Sequence, residues 1–155
     1  MNKRFMREAI RLSFQMVRRG EGGPFGAVVV KSGRIVGRGC NRVTSLNDPT
    51  AHAEIIAIRE ACRRLTTFQL EGCDLYASCE PCPMCLSAIY WARIRGVFYG
   101  NTRKDAATIA FDDALIYREV ALPIGRRKLQ MKQVLRKEAL KAFAAWEQKS
   151  DKVQY

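Results

Sequence analysis

His52, Glu54, Cys82 and Cys85 are the residues whose types and spacing could do chemistry. Cys82 and Cys85 are three apart, so in the first turn of a helix their sulfurs share one face. The exposed N–H groups and the positive end of such a helix favour thiolates. With His52 they make a donor set of one nitrogen and two sulfurs, which suits a tetrahedral zinc ion with one position left for water. Two thiolates largely cancel the charge of that ion, so water is acidified less than it would be by three neutral imidazoles. A nearby general base is therefore needed. Glu54 fits that role better than the role of ligand. It stands two residues from His52 and does not share its helix face, yet its longer side chain reaches the water.

The chain has one histidine, so any site needing two or three histidines is excluded, and any histidine-based triad would have to use His52. Other readings of the cysteines compete. Cys79-x-x-Cys82-x-x-Cys85 matches part of an iron–sulfur motif that wants a fourth cysteine four residues later, where Ile89 stands. A closed structural zinc site of His52, Cys79, Cys82 and Cys85 is the stronger rival. Against it, Glu80 precedes Pro81 and should be extended, which puts Cys79 out of phase with the helical pair. Cys40, Cys62 and Cys73 lie in apolar stretches and read as buried small hydrophobes.

The elements that must position these residues follow from periodicity. Met6, Ala9, Ile10, Leu12, Phe14, Met16 and Val17 recur mostly at three and four, which predicts an amphipathic helix over 3–19, ended by Gly20. Phe25–Lys31 and Arg34–Gly39 read as two strands joined by Ser32-Gly33. Asn41–Thr50 reads as a polar loop, and a helix is expected from about Ala51 to Arg64. Cys73–Ser78 predicts a strand, Cys82–Arg93 a helix and Gly96–Tyr99 a short strand. His52 and Cys82 thus each stand at a helix start. Further on, Phe111–Val120 and Lys137–Lys149 read as helices and Leu129–Leu135 as a strand. This order predicts an α/β fold with helices on both faces of a mixed sheet.

The chain has 155 residues, 48% of them hydrophobic and 27% charged, which fits one domain, 1–155, with a real core. No apolar run is long enough to span a bilayer, and the first twenty residues lack the uninterrupted apolar stretch of a secretory signal. A cytoplasmic protein is expected. Six cysteines are too few for a disulfide scaffold, and their spacing reads as metal binding. The net charge of +12 allows a nucleic-acid partner. The excess is spread along the chain, as on a solvated basic surface.

The sequence resembles the zinc-dependent nucleobase deaminases of the cytidine/deoxycytidylate deaminase superfamily, and within them the bacterial guanine deaminases. The resemblance rests on Gly22-Gly23-Pro24-Phe25-Gly26-Ala27, on Asn47 to Glu54, on Ser78 to Cys85 and on Ala88 to Arg93. It extends to Asp105-Ala106-Ala107, Phe111-Asp112-Asp113, Ile116-Tyr117 and Tyr155, covering nearly the whole chain. The His52-x-Glu54 and Pro81-Cys82-x-x-Cys85 pair marks the superfamily. The Trp91 segment, Phe111-Asp112-Asp113 and Tyr155 point to the guanine branch.

The resemblance implies a three-layer α/β/α sandwich around a mixed five-stranded sheet, one zinc ion per chain, and conversion of guanine and water to xanthine and ammonia. It implies His52, Cys82 and Cys85 as ligands and Glu54 as proton carrier. Asn41 becomes a polar contact to the base, Phe25 and Trp91 apolar walls, and Asp113 an acceptor for the N–H edge of guanine. It further implies a homodimer in which about 137–155, with Phe143 and Trp146 as anchors and Tyr155 as an aromatic contact, closes over the active site or is exchanged between subunits. Two alternatives stay open. A tRNA-specific adenosine deaminase shares the zinc signature and would use the basic surface. A zinc-binding RNA module without activity would have no need of Glu54.

Overall fold

The computed structural model describes residues 2–154, and the chain divides into two compact units, Met1–Asp113 and Ala114–Tyr155. The first unit runs α1 (Lys3–Arg19), β1 (Gly26–Lys31), β2 (Arg34–Cys40), α2 (Val43–Leu46), α3 (Ala53–Leu65), β3 (Cys73–Cys79), α4 (Pro83–Trp91), β4 (Gly96–Asn101) and α5 (Arg103–Thr108). The second contains α6 (Ala114–Ala121), a 3-10 turn at Ile124–Arg126 and α7 (Arg136–Gln148).

The strands form one mixed sheet in the order β2-β1-β3-β4. β1 is antiparallel to β2 and β3, while β3 and β4 run parallel with α4 in the crossover. Ser32 and Gly33 both have positive φ, 48° and 74°, the conformation that tight two-residue hairpins require. Strand alternation divides the core between two faces. Val28, Val30 and Tyr76 pack with Phe5 and Leu12 of α1. Ala27, Val29, Leu75 and Ala77 pack with Ala53, Ala57, Ile58 and Ala61 of α3 and Ile89 of α4. Helices therefore cover both sides of the sheet, as the α/β reading expects.

α1 begins where Asn2 accepts the Arg4 N–H and stops at Gly20, whose φ of 63° suits a residue without a β-carbon. On the other side of the sheet, α3 lies very close to β2. A β-carbon on Gly39 would stand 1.9 Å from the Ala53 carbonyl oxygen, so only glycine lets the start of α3 rest there.

The expectation of five strands is corrected: among the described residues the sheet has four. Leu129–Leu135, read as a strand, forms no sheet. A strand needs an edge to pair with, and the second unit is built of helices and turns. Flanking bonds are spent locally, with Lys128 N–H donating to Glu119 Oε2 at 2.7 Å and Arg127 Nε–H to the Leu122 carbonyl at 3.0 Å. Two short helices went unread in the sequence, α2 inside the polar loop and α5 after β4. α5 opens with a reciprocal cap between Thr102 and Asp105.

Candidate active site

His52 and Cys82 occupy the cap positions of α3 and α4, and Pro83 starts α4 with a ring already set for a helix. The loop leading to His52 is tied at several points. Asp48 Oδ1 accepts from Thr50 N–H at 2.8 Å and from its hydroxyl at 2.7 Å, and Arg42 N–H donates to the Ala51 carbonyl at 2.9 Å. Cys85 falls one turn into α4 and Glu54 in the first turn of α3.

These two helix starts meet. The ligating atoms of His52, Cys82 and Cys85 all lie within 4.8 Å of one another. His52 Nδ1 is 3.6 Å from Cys82 Sγ and 3.5 Å from Cys85 Sγ. Tetrahedral zinc with bonds of about 2.0–2.1 Å to nitrogen and about 2.3 Å to sulfur sets its nitrogen and sulfur ligands about 3.6 Å apart. The residues therefore fit a zinc ion without rearrangement. A hydrogen bond with Cys85 pulls the Cys82 thiol down to about 4, while burial works against it and His52 adds to the lowering.

Glu54 is buried, 7% exposed, with Oε2 accepting from Cys85 Sγ at 3.5 Å. Burial pushes its carboxyl up, which suits a group that must hold and release a proton. Cys79, in the same run of cysteines, is set apart. It ends β3, its Sγ donates to the Thr102 carbonyl at 3.6 Å, and burial pushes its thiol up to about 11. It is not in the metal-competent group, so the closed four-ligand reading has no geometric support.

The other expected residues are placed unequally. Asn41 is buried, and its Oδ1 accepts from Gly23 N–H at 3.2 Å and Val43 N–H at 3.3 Å. Its NH2 group is thereby turned away from the backbone. Gly22 is required here, because a β-carbon would stand 2.0 Å from the Asn41 carbonyl oxygen. Phe25 precedes β1, and its carbonyl accepts the Asn41 N–H at 3.0 Å. Asp113 is half-buried; burial raises its carboxyl, the Arg103 charge opposes that, and the Cys82 thiolate adds to it, so it lies within electrostatic reach of the trio.

Trp91 lies on the same helix as Cys85. It ends α4, 62% exposed, while Cys82 begins it, and nine residues of helix separate two positions by about 13 Å along the axis. Tyr155 lies outside the described residues. Sequence reasoning missed Ser78, whose buried hydroxyl accepts Gly26 N–H at 2.9 Å, and Glu80, which accepts Arg103 N–H at 3.0 Å. Their flanking of the Cys79 to Cys85 run was the available signal.

One nitrogen and two sulfurs around an open coordination position, with a buried carboxylate beside them, define a zinc enzyme that activates water. Residues 1–101 match the family described as the cytidine and deoxycytidylate deaminase zinc-binding region, and the chain belongs to that family. It is 51% identical over 151 residues to a guanine deaminase of Bacillus subtilis, covering 97% of each chain. The X-ray structure of guanine deaminase from Bacillus subtilis matches with a TM-score of 0.96, covering 100% of this chain and 99% of that one. A tRNA-specific adenosine deaminase of Aquifex aeolicus is 48% identical over 100 residues, or 64% of this chain and 66% of the relative.

Proposed function

We propose that the chain catalyses the hydrolytic deamination of guanine to xanthine and ammonia. One observation carries this reading: over both units the chain is 51% identical to a guanine deaminase, against 36% to a tRNA-specific adenosine deaminase of Buchnera aphidicola that spans 90% of it, and this full-length likeness also supports treating 1–155 as one functional domain. The likeness to the Aquifex tRNA deaminase stops at about two thirds of the chain.

In the reaction a C–O bond forms at C2 of the purine and the C2–N bond to the amino group breaks. His52, Cys82 and Cys85 hold the zinc ion, which when bound supplies a Lewis acid that makes water nucleophilic near neutral pH. Glu54 takes the proton of the attacking water, gives it to a ring nitrogen and then helps the amine leave as ammonia. Its burial among Cys85 and the start of α3 keeps bulk water from competing for that proton. Asn41, with its carbonyl occupied by two backbone N–H groups, offers its NH2 to an acceptor on the base. Phe25 and Trp91 are apolar walls. Asp113, an acceptor when ionised, faces the N1–H and amino donors of guanine; adenine lacks the N1–H. Tyr155 is assigned an aromatic contact to the base on the resemblance alone.

The protein acts as a homodimer in the cytoplasm. Leu140, Phe143 and Trp146 of α7 are 39%, 74% and 46% exposed, and a short helical segment gains stability by covering such residues with a second copy. Two zinc-binding thiols call for a reducing compartment, and among the described residues no helix is long and apolar enough to cross a membrane. The deciding experiment is ammonia release from guanine, guanosine, cytosine, adenine and a tRNA anticodon stem-loop by the purified, zinc-loaded protein. Turnover confined to guanine supports the reading. Inosine formation in the stem-loop without guanine turnover overturns it.

A further inference from the structure

Phe111 is outside the reacting set, yet the segments proposed to hold the base meet on it. At the end of α5, Ala110 N–H donates to the Ala107 carbonyl at 3.1 Å and Phe111 N–H to the Ala106 carbonyl at 3.0 Å. This paired closure holds Ala110 at φ 68°, a conformation side-chain-bearing residues adopt reluctantly. The turn sets the Phe111 ring edge-on against Phe25, with centroids 4.9 Å apart and planes at 87°. Gly23 lies against both rings: a β-carbon there would stand 3.2 Å from two Phe25 ring atoms and 3.3 Å from Phe111 Cζ. Gly23 N–H in turn donates to Asn41 Oδ1, and Asn41 N–H donates to the Phe25 carbonyl. Asp113 follows two residues after Phe111.

We infer that Phe111 is a positioning residue for guanine, acting through Phe25 and Asp113 to fix the width and tilt of the slot that receives the base. The inference rests on the guanine reading above. Phe111 is 46% exposed, so its ring is half-buried, and its effect on folding is read separately as melting temperature. Its edge-on partner is the proposed wall of the slot, and Asp113 follows it by two residues. Loss of the ring therefore falls on binding of the base. The proton chemistry at Glu54 and the metal ligands is untouched.

The test is steady-state guanine kinetics of Phe111→Ala, Phe111→Tyr and Gly23→Ala beside the wild type, with zinc content and melting temperature measured for each. Phe111→Ala is expected to raise KM about three- to tenfold, the scale of an aromatic pair, with kcat within about twofold and zinc fully retained. Phe111→Tyr keeps the ring edge and should restore a KM near that of the wild type. Gly23→Ala keeps both rings but asks them to shift by a few tenths of an ångström, and should raise KM by less than Phe111→Ala does. An active wild type with an unchanged KM in Phe111→Ala would overturn the inference alone. So would a KM that moves only in step with melting temperature and is not restored by Phe111→Tyr. A wild type that releases no ammonia from guanine would overturn the substrate reading and this inference with it.

Discussion

Residues 27–30 of β1 and residues 140–146 of α7 are both rich in apolar side chains, yet they use them in opposite ways. Ala27, Val28, Val29 and Val30 are at most 5% exposed, covered from both faces of the sheet. Leu140, Phe143 and Trp146 stay well exposed, and no described residue of the second unit is buried. The first unit encloses its own core and keeps the metal-competent trio at the junction of two helix starts. The second has the pattern of packed helices without the packing. Apolar periodicity thus fixes where a helix forms, but burial depends on what is brought against it.

If the first unit holds the chemistry, the largest effects must fall there. Cys82→Ser and Cys85→Ser should each lose nearly all bound zinc and all turnover, while Cys79→Ser should keep most of its zinc; metal analysis of the three proteins decides it. The Cys79 thiol is turned to the Thr102 carbonyl, 3.6 Å away, and stands outside the metal-competent group. Stripping of zinc by Cys79→Ser would restore the four-ligand site. Glu54→Gln should keep fold and zinc but lose about 10²–10⁴-fold in kcat, the usual scale for a positioned acid–base group. Substantial turnover by the zinc-loaded variant would reject the proton role. Asp113→Ala removes a charged acceptor from buried donors, a loss of about 1.5–3 kcal/mol, so guanine efficiency should fall roughly 10–150-fold. An equal loss in zinc content would instead make Asp113 a structural residue.

The contrast in burial is tested most directly by paired truncations. Leu75→Ala opens a cavity in the closed core and should cost about 2–5 kcal/mol in denaturant unfolding. Phe143→Ala should leave monomer unfolding within about 0.5 kcal/mol but weaken self-association in sedimentation at low concentration. Equal unfolding costs for the two would erase the distinction between the units. The smallest effect concerns Asp48, which Thr50 holds below the usual carboxylate range through two hydrogen bonds. A depressed folded-state value stabilises the loop above the ordinary aspartate range, and that contribution is lost as pH falls through the lowered value. Asp48→Ala should therefore abolish part of the acid-side dependence of melting temperature between about pH 5 and 2 and leave the alkaline side unchanged.

Much of this was legible in the residues. The helix over 3–19 was readable to its ends because Gly20 closes it and the apolar positions fall on one face. The metal trio was readable because Cys82 and Cys85 share a helix turn, so local spacing already fixes their relation. Phe25, Asn41 and Asp113 needed the family resemblance, since their relation to the trio depends on loops that cross between strands. Trp91 stands at the far end of α4 from Cys85, so its place beside the base also rests on the resemblance. The mistaken strand at Leu129–Leu135 has apolar residues at 129, 131, 134 and 135, which alternate only in part, and it has no edge to join. The cap of α5 was visible as Thr102-x-x-Asp105 and was overlooked.

Because His52 is the chain's one histidine and its Nδ1 faces both sulfurs, the protein carries a built-in reporter. Every histidine signal in a magnetic resonance spectrum of the whole, nitrogen-15-labelled protein comes from that ring, with no subtraction. The nitrogen frequencies of Nδ1 and Nε2 would separate a ring that has bound an ion from one that has merely gained a proton, so occupancy of the centre can be followed in the purified protein while substrate is being consumed.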